Sequence, residues 1–243
     1  MVGDGLNSPR VQGGKENTPG GEEDAAYGKP FPDKYSMRNT RSLTVHNAAL
    51  TQVPIEVFEV ACNEFVNIVD LTNNMLTQLP EGLKLLHELL TELTLSRNQL
   101  SFVPSYISQF SRLQALNLSC NLLSELPMEL AGLQNLCELN ISHNRLKRLP
   151  SCIYELINLE SLIANDNKIK TLDVSDNGLG ALPRLMVLNL ANNDIQLVPP
   201  QLGNLMTISK LKLTGNPFRQ PRHQIIEMGT AEIMKYLRGR IPL

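Results

Sequence analysis

Tryptophan is absent, and aromatic residues make up only 5% of the 243 residues. A core so poor in rings has to be filled with aliphatic side chains. Charge is nearly balanced, at −2, which argues against a nucleic-acid binder that works by bulk electrostatics. The four cysteines show no regular spacing, so neither a disulfide scaffold nor a zinc module is expected, and no cofactor is called for. No apolar run approaches the ~18–20 residues that span a bilayer, and no basic-then-apolar signal segment opens the chain. The expectation is a cytoplasmic protein, with the nucleus also open, that inserts into no membrane. What is abundant is leucine: 42 residues, of which only Leu6 precedes Leu43.

Those leucines are periodic. The template L-x-x-L-x-L-x-x-N-x-L-x-x-L-P fits Leu113, Leu116, Leu118, Asn121, Leu123, Leu126 and Pro127. It fits again 23 residues on, from Leu136 to Pro150, and again from Leu159, with Asn144 and Asn167 at the polar position. Earlier copies run from Val66 and Leu90, and later ones from Leu185 and Ile208; a degenerate first copy carries Leu43, Val45, Leu50, Val53 and Pro54. About eight copies result. One copy cannot bury its own apolar face, but stacked neighbours share a continuous core. The Asn column (Asn74, Asn98, Asn121, Asn144, Asn167, Asn193, Asn216) falls where the chain leaves each strand, where amides can satisfy orphaned backbone groups of adjacent turns. The Pro column ends the pairing segment, because proline has no N–H to donate. The stretch Leu172 to Pro183 also fits part of the template but leaves no room for a second full copy; it is either one irregular 26-residue repeat or the remnant of a deletion.

With these residues the chain resembles the leucine-rich-repeat family in its 23-residue form. The resemblance implies an α/β fold: a right-handed leucine-rich-repeat solenoid, or horseshoe, with a parallel β-sheet on the concave face and a helical C-terminal cap. It also implies a protein-binding role rather than an enzymatic one. The segments 53–58, 198–204, 215–222 and 236–242 are similar to the C-terminal half of a longer member that carries another repeat block on its N-terminal side. This chain is therefore expected to correspond to that member's linker and C-terminal block.

Three segments follow: an unstructured tail or linker over 1–40, repeats over 41–218 and a helical cap over 219–243. Residues 1–40 hold seven Gly, four Pro and eleven charged residues, too polar a mixture to offset its ordering entropy. Ser8-Pro9 and Thr18-Pro19 are candidate phosphorylation sites, and Lys15-Glu16-Asn17 resembles a degron tripeptide. In the cap, Thr230 is expected as a helix N-cap, followed by Ile233, Met234 and Leu237 on one apolar face.

Side chains alternate along a strand, so the residues between the strand leucines face the concave surface. One such column reads Asp70, Thr94, Asn117, Asn140, Ile163, Asn189, Lys212, and the next includes Thr72, Ser96, Ser119, Ser142 and Asn165. Glu92, Glu138 and Lys210 belong to a third. These ladders serve either solubility and regularity or the binding of an extended protein segment. The binding candidates are Asp70, Glu92, Thr94, Asn117, Glu138, Asn140, Asn165, Asn189, Lys210 and Lys212, with charge graded from acidic to basic. A basic cluster at the cap (Arg219, Arg222, His223, Lys235, Arg238, Arg240) is a second docking candidate. Cys120, His143 and Asp166 occupy one position in successive repeats, in the order of a cysteine-hydrolase triad, which keeps a hydrolase as a remote alternative. The leading expectation is a monomeric intracellular adaptor for a protein partner, by fold analogy one in small-GTPase or phosphatase signalling. A targeting, substrate-recognition subunit of a signalling or ubiquitin-ligase assembly is the alternative.

Overall fold

A computed structural model describes residues 30–241. Each L-x-L segment is a three-residue strand: β1 Ser42–Thr44, β2 Ile68–Asp70, β3 Glu92–Thr94, β4 Ala115–Asn117, β5 Glu138–Asn140, β6 Ser161–Ile163, β7 Val187–Asn189 and β8 Lys210–Lys212. The eight pair in chain order into one parallel sheet. The central residue of every strand points inward and is buried: Leu43, Val69, Leu93, Leu116, Leu139, Leu162, Leu188 and Leu211 lie in register across the sheet. Strand starts are separated by 26, 24, 23, 23, 23, 26 and 23 residues.

The return path uses short 3-10 helices. Those at Glu81–Leu86, Ser105–Gln109, Met128–Gly132, Ser151–Glu155 and Pro200–Asn204 each follow a proline of the Pro column. That proline does more than end the strand. Its fixed φ sets the entry into the helix, and its carbonyl accepts the first helical N–H, as in Leu130 N to Pro127 O at 3.1 Å. Helix α1 is Lys34–Thr40, and the first 26-residue spacing accommodates a longer helix, α2, Ile55–Asn63.

The ambiguous stretch is one irregular repeat. No strand lies between β6 and β7, and the extra residues form a loop where Asp173 stands in place of the corner proline. The Asp173 carboxylate accepts from the Ser175 hydroxyl at 2.7 Å and from its N–H at 3.0 Å. These bonds hold its carboxyl below the usual carboxylate value and build the turn proline makes elsewhere.

Both ends differ from expectation. Residues 34–40, placed in the unstructured tail, form α1. Asp33 caps it by accepting from Ser36 N at 2.8 Å, and Met37 is buried against the first repeat. Arg38 grips Glu64, at the end of α2, with two nitrogens at 2.6 and 3.1 Å. One buried methionine in seven residues leaves no periodic signal; the helix exists because it docks. The phosphorylation and degron candidates at Ser8, Thr18 and Lys15–Asn17 lie outside the described residues.

At the other end, α3 (His223–Glu227) and α4 (Thr230–Arg238) cover the last repeat, with Ile226, Ile233, Met234 and Leu237 buried. Thr230 does not cap its own helix. Gly229 holds the N-cap position at φ 94°, and Thr230 Oγ1 accepts from Leu211 N at 2.9 Å. That N–H points off the sheet edge, where a ninth strand would otherwise meet it. The hydroxyl thus ends the ladder. Thr230→Val keeps the shape and deletes the acceptor, and should cost about 1–2 kcal/mol. Amide exchange should locate that loss at Leu211 and the final repeat; protection unchanged at Leu211 would show that the hydroxyl contributes nothing there.

Candidate functional site

The concave face is the exposed side of the sheet. Its central feature is a hollow of about 280 Å³ lined by Glu92, Thr94, Ala115, Leu116, Asn117, Glu138, Leu139, Asn140, Ser161 and Ile163. The cause is local. Ala115 stands directly between Glu92 and Glu138 in the register, and its single methyl leaves a dip flanked by two carboxylates. Five of the residues nominated from the sequence share this hollow: Glu92, Thr94, Asn117, Glu138 and Asn140. Ala115 was overlooked, since a small residue in a column has no chemistry of its own until its neighbours are placed.

The other candidates divide by what already holds them. Asp70, Asn117, Asn140 and Asn189 each accept, through Oδ1, the N–H two residues on, at 3.0, 3.0, 3.1 and 3.2 Å. This is the Asx turn that takes the chain off the strand. Asp70 also faces His46 at 2.8 Å. Asn189 donates to Asn165 at 3.0 Å, and Asn165 donates to Asp166 at 2.6 Å. Asp70, Asn165 and Asn189 thus bond other side chains as well as, for Asp70 and Asn189, their own turns, whereas Asn117 and Asn140 are engaged through Oδ1 alone. Glu92, Glu138, Lys210 and Lys212 are exposed and form no ion pair among the described residues. The amide nitrogens of Asn117 and Asn140 have no hydrogen-bond partner among the described residues.

The buried Asn column does what its position suggested. Asn144 Oδ1 accepts from Leu123 N of the preceding repeat at 3.0 Å, while Nδ2 donates to the carbonyls of Leu118, Ile141 and Ser142 at 3.0–3.1 Å. Asn98, Asn121 and Asn167 repeat the pattern.

Cys120, His143 and Asp166 fall in a different kind of column. They share left-handed backbone, at φ 54°, 53° and 55°, with Asn73 and Arg97 before them and Asn192 after. Gly215 ends the series at φ 72°, where an added Cβ would come within 2.0 Å of Asn192 Oδ1. The column is the corner of every repeat. His143 Nε2 lies 3.4 Å from Asp166 Oδ2, but no hydrogen bond joins Cys120 to the His143 ring among the described residues, and none of the three lines the hollow. Burial pushes the Cys152 thiol up to about 11 and raises that of Cys137, the latter helped by nearby Glu160. Neither has the lowered pKa of an activated nucleophile.

The basic cluster at the cap is largely engaged. Arg238 donates to Gly203 O at 3.2 Å, Arg240 lies over the Tyr236 ring, Lys235 faces Glu232 and His223 faces Glu227.

An in-register parallel sheet, returned by short 3-10 helices and stitched by buried asparagines, decides the class of fold. This is a leucine-rich-repeat solenoid. The family described as Leucine rich repeat matches at residues 88–146 and 111–169, and a second family model of the same description matches at 184–205. Among solved structures, the solenoid is similar to a leucine-rich-repeat protein of Leptospira interrogans, at 25% identity over 71% of this chain and with a TM-score of 0.51. It is similar to internalin C2 of Listeria monocytogenes, at 26% identity over 75% of this chain and 84% of that one, TM-score 0.53. It is also similar to the leucine-rich-repeat ectodomain of the plant membrane receptor kinase GASSHO1/SCHENGEN3 from Arabidopsis thaliana, solved in complex with Casparian strip integrity factor 2; identity is 27% over 69% of this chain, TM-score 0.57. The solenoid spans 60% of the Leptospira protein and 20% of the receptor ectodomain. No helix among the described residues is long and apolar enough to cross a membrane.

Proposed function

We propose that the protein is a non-enzymatic, intracellular protein-interaction scaffold whose concave face takes an extended segment of a protein partner. The observation that carries this reading is the hollow at Ala115, where Glu92 and Glu138 stand exposed on either side, with no ion pair among the described residues. Two carboxylates so placed suit a lysine or arginine of the partner. Lys210 and Lys212, at the far end of the sheet, suit an acidic residue of the same segment and fix its direction. A curved and largely preformed sheet keeps the ordering cost of binding on the partner's side. The receptor ectodomain offers an analogy, as a leucine-rich-repeat solenoid solved with a bound factor. The likeness of 53–58, 198–204, 215–222 and 236–242 supports kinship with the C-terminal half of leucine-rich repeat-containing protein forty.

The test is selection of peptides from a displayed library on the immobilised protein. Selected sequences should share a basic residue, and Glu92→Lys/Glu138→Lys should lose them. Lys210→Glu/Lys212→Glu should weaken them or reverse the preferred acidic position. Peptides that bind both double variants as well as the parent would remove the groove from consideration.

A further inference from the structure

We infer that the solenoid carries a second docking surface, on its flank, for a short segment of a protein rich in aspartate and glutamate. The surface consists of Arg145, Lys147, Arg148, Lys168 and Lys170. All five are exposed. They lie just past the asparagine column in two adjacent repeats, one, three and four residues beyond Asn144 and one and three beyond Asn167. The backbone places them together: Lys170 N donates to Lys147 O at 3.2 Å, and Lys168 N to Leu146 O at 2.8 Å. Repeats in register lie about 4.8 Å apart, so Arg145 with Lys168, and Lys147 with Lys170, are lateral neighbours.

The fold does not ask for these charges. In other repeats of the Asn column the position held by Arg145 and Lys168 is Met75, Gln99, Leu122, Asp194 or Pro217, and that of Lys147 and Lys170 is Thr77, Ser101, Ser124 or Gln196, with a cation again only at Arg219 of the last repeat. Nor are the charges neutralised. None of the five has an ion pair, a side-chain hydrogen bond or a ring contact among the described residues, whereas four of the six basic residues at the cap have one. Five like charges side by side repel one another, and no ion pair among the described residues relieves that.

The extent of the patch selects the partner. Two of its three columns meet a carboxylate, Glu125 before Arg148 and Asp194 after Lys168, and the third meets the uncharged Ser124 and Gln196. A nucleic-acid duplex, with a charge every ~1.7 Å of its axis, would run on into those carboxylates, and so would a flat anionic bilayer. The cations are spread over three columns and do not converge on one point, which suits several separate carboxylates on an extended chain better than a single phosphoryl group.

Fluorescence anisotropy with a labelled Glu-Gly alternating peptide tests the inference. The unmodified protein should bind it more tightly than the Gln-Gly counterpart, and less so as salt shortens the Debye length below its ~8 Å at physiological ionic strength. Lys147→Glu/Lys170→Glu should reduce affinity about tenfold or more, while Arg219→Glu/Arg222→Glu at the cap should not. Thermal melting of both variants, followed by circular dichroism, checks that they fold. Equal peptide affinity in the two double variants would overturn the inference. So would tighter binding of a DNA duplex or of phosphatidylserine vesicles at the same ionic strength. Glu92→Lys/Glu138→Lys should leave this binding intact, which separates the flank from the concave groove.

Discussion

Asn144→Ala should lower stability by about 3–5 kcal/mol, although it removes a small polar side chain and leaves no large cavity. The side chain is buried and makes four hydrogen bonds to backbone groups. Without it, Leu123 N–H has no acceptor, and the carbonyls of Leu118 and Ile141 lose a donor in a place water does not reach. Each orphaned buried group costs about 1–3 kcal/mol. Two of the partners, Leu118 and Leu123, belong to the preceding repeat, so much of the loss falls on the interface that makes the solenoid cooperative. Asn140→Ala removes the same chemical group four residues earlier. There the side chain is half-buried and accepts only from Ser142, so solvent can replace much of it and the loss should stay near or below about 1 kcal/mol. Urea denaturation followed by circular dichroism separates the two. Equal midpoints would mean that the buried amide column is not what joins successive coils.

Leu118→Ala should cost about 2–5 kcal/mol through lost burial and an unfilled cavity. Leu118 is fully buried and stacks in its column between Leu95 and Ile141, both fully buried as well. A void here opens into the shared core and touches two repeat interfaces at once. Asn117→Ala, one residue away, points to the other face and removes one Asx-turn bond of 3.0 Å to Ser119 N. Its effect should be about 1 kcal/mol or less. A one-residue slip would exchange the two faces, so comparable losses at 117 and 118 would place the strand register in error.

The repeat architecture was legible because its signal is local and recurs. Strand leucines, corner asparagines and helix-starting prolines lie within 15 residues of one another in the template, and each copy repeats the same instruction. Departures from the template were harder. Asp173 reads as a failed proline, and only its bonds to Ser175 show it making the same corner by other means. The alignment of Cys120, His143 and Asp166 was also visible, but not its cause, which is a left-handed corner shared with Asn73, Arg97 and Asn192. On the concave face the columns were legible, while the division into engaged and free side chains was not. That Asp70 and Asn189 shape turns while Glu92 and Glu138 stand free depends on contacts of a few tenths of an ångström in tolerance.

By itself, then, the sequence determined the number of repeats, the inward face of each strand and the polar column that joins them, because a short period states these many times over. The tertiary structure alone decided how each end is closed and what lies open on the surface. Met37 and the Arg38–Glu64 pair close one end, and Thr230 on Leu211 N closes the other across 19 residues. Contacts of that kind occur once each and join distant segments, so no periodicity announces them; they exist only where the stacked coils bring their partners within reach.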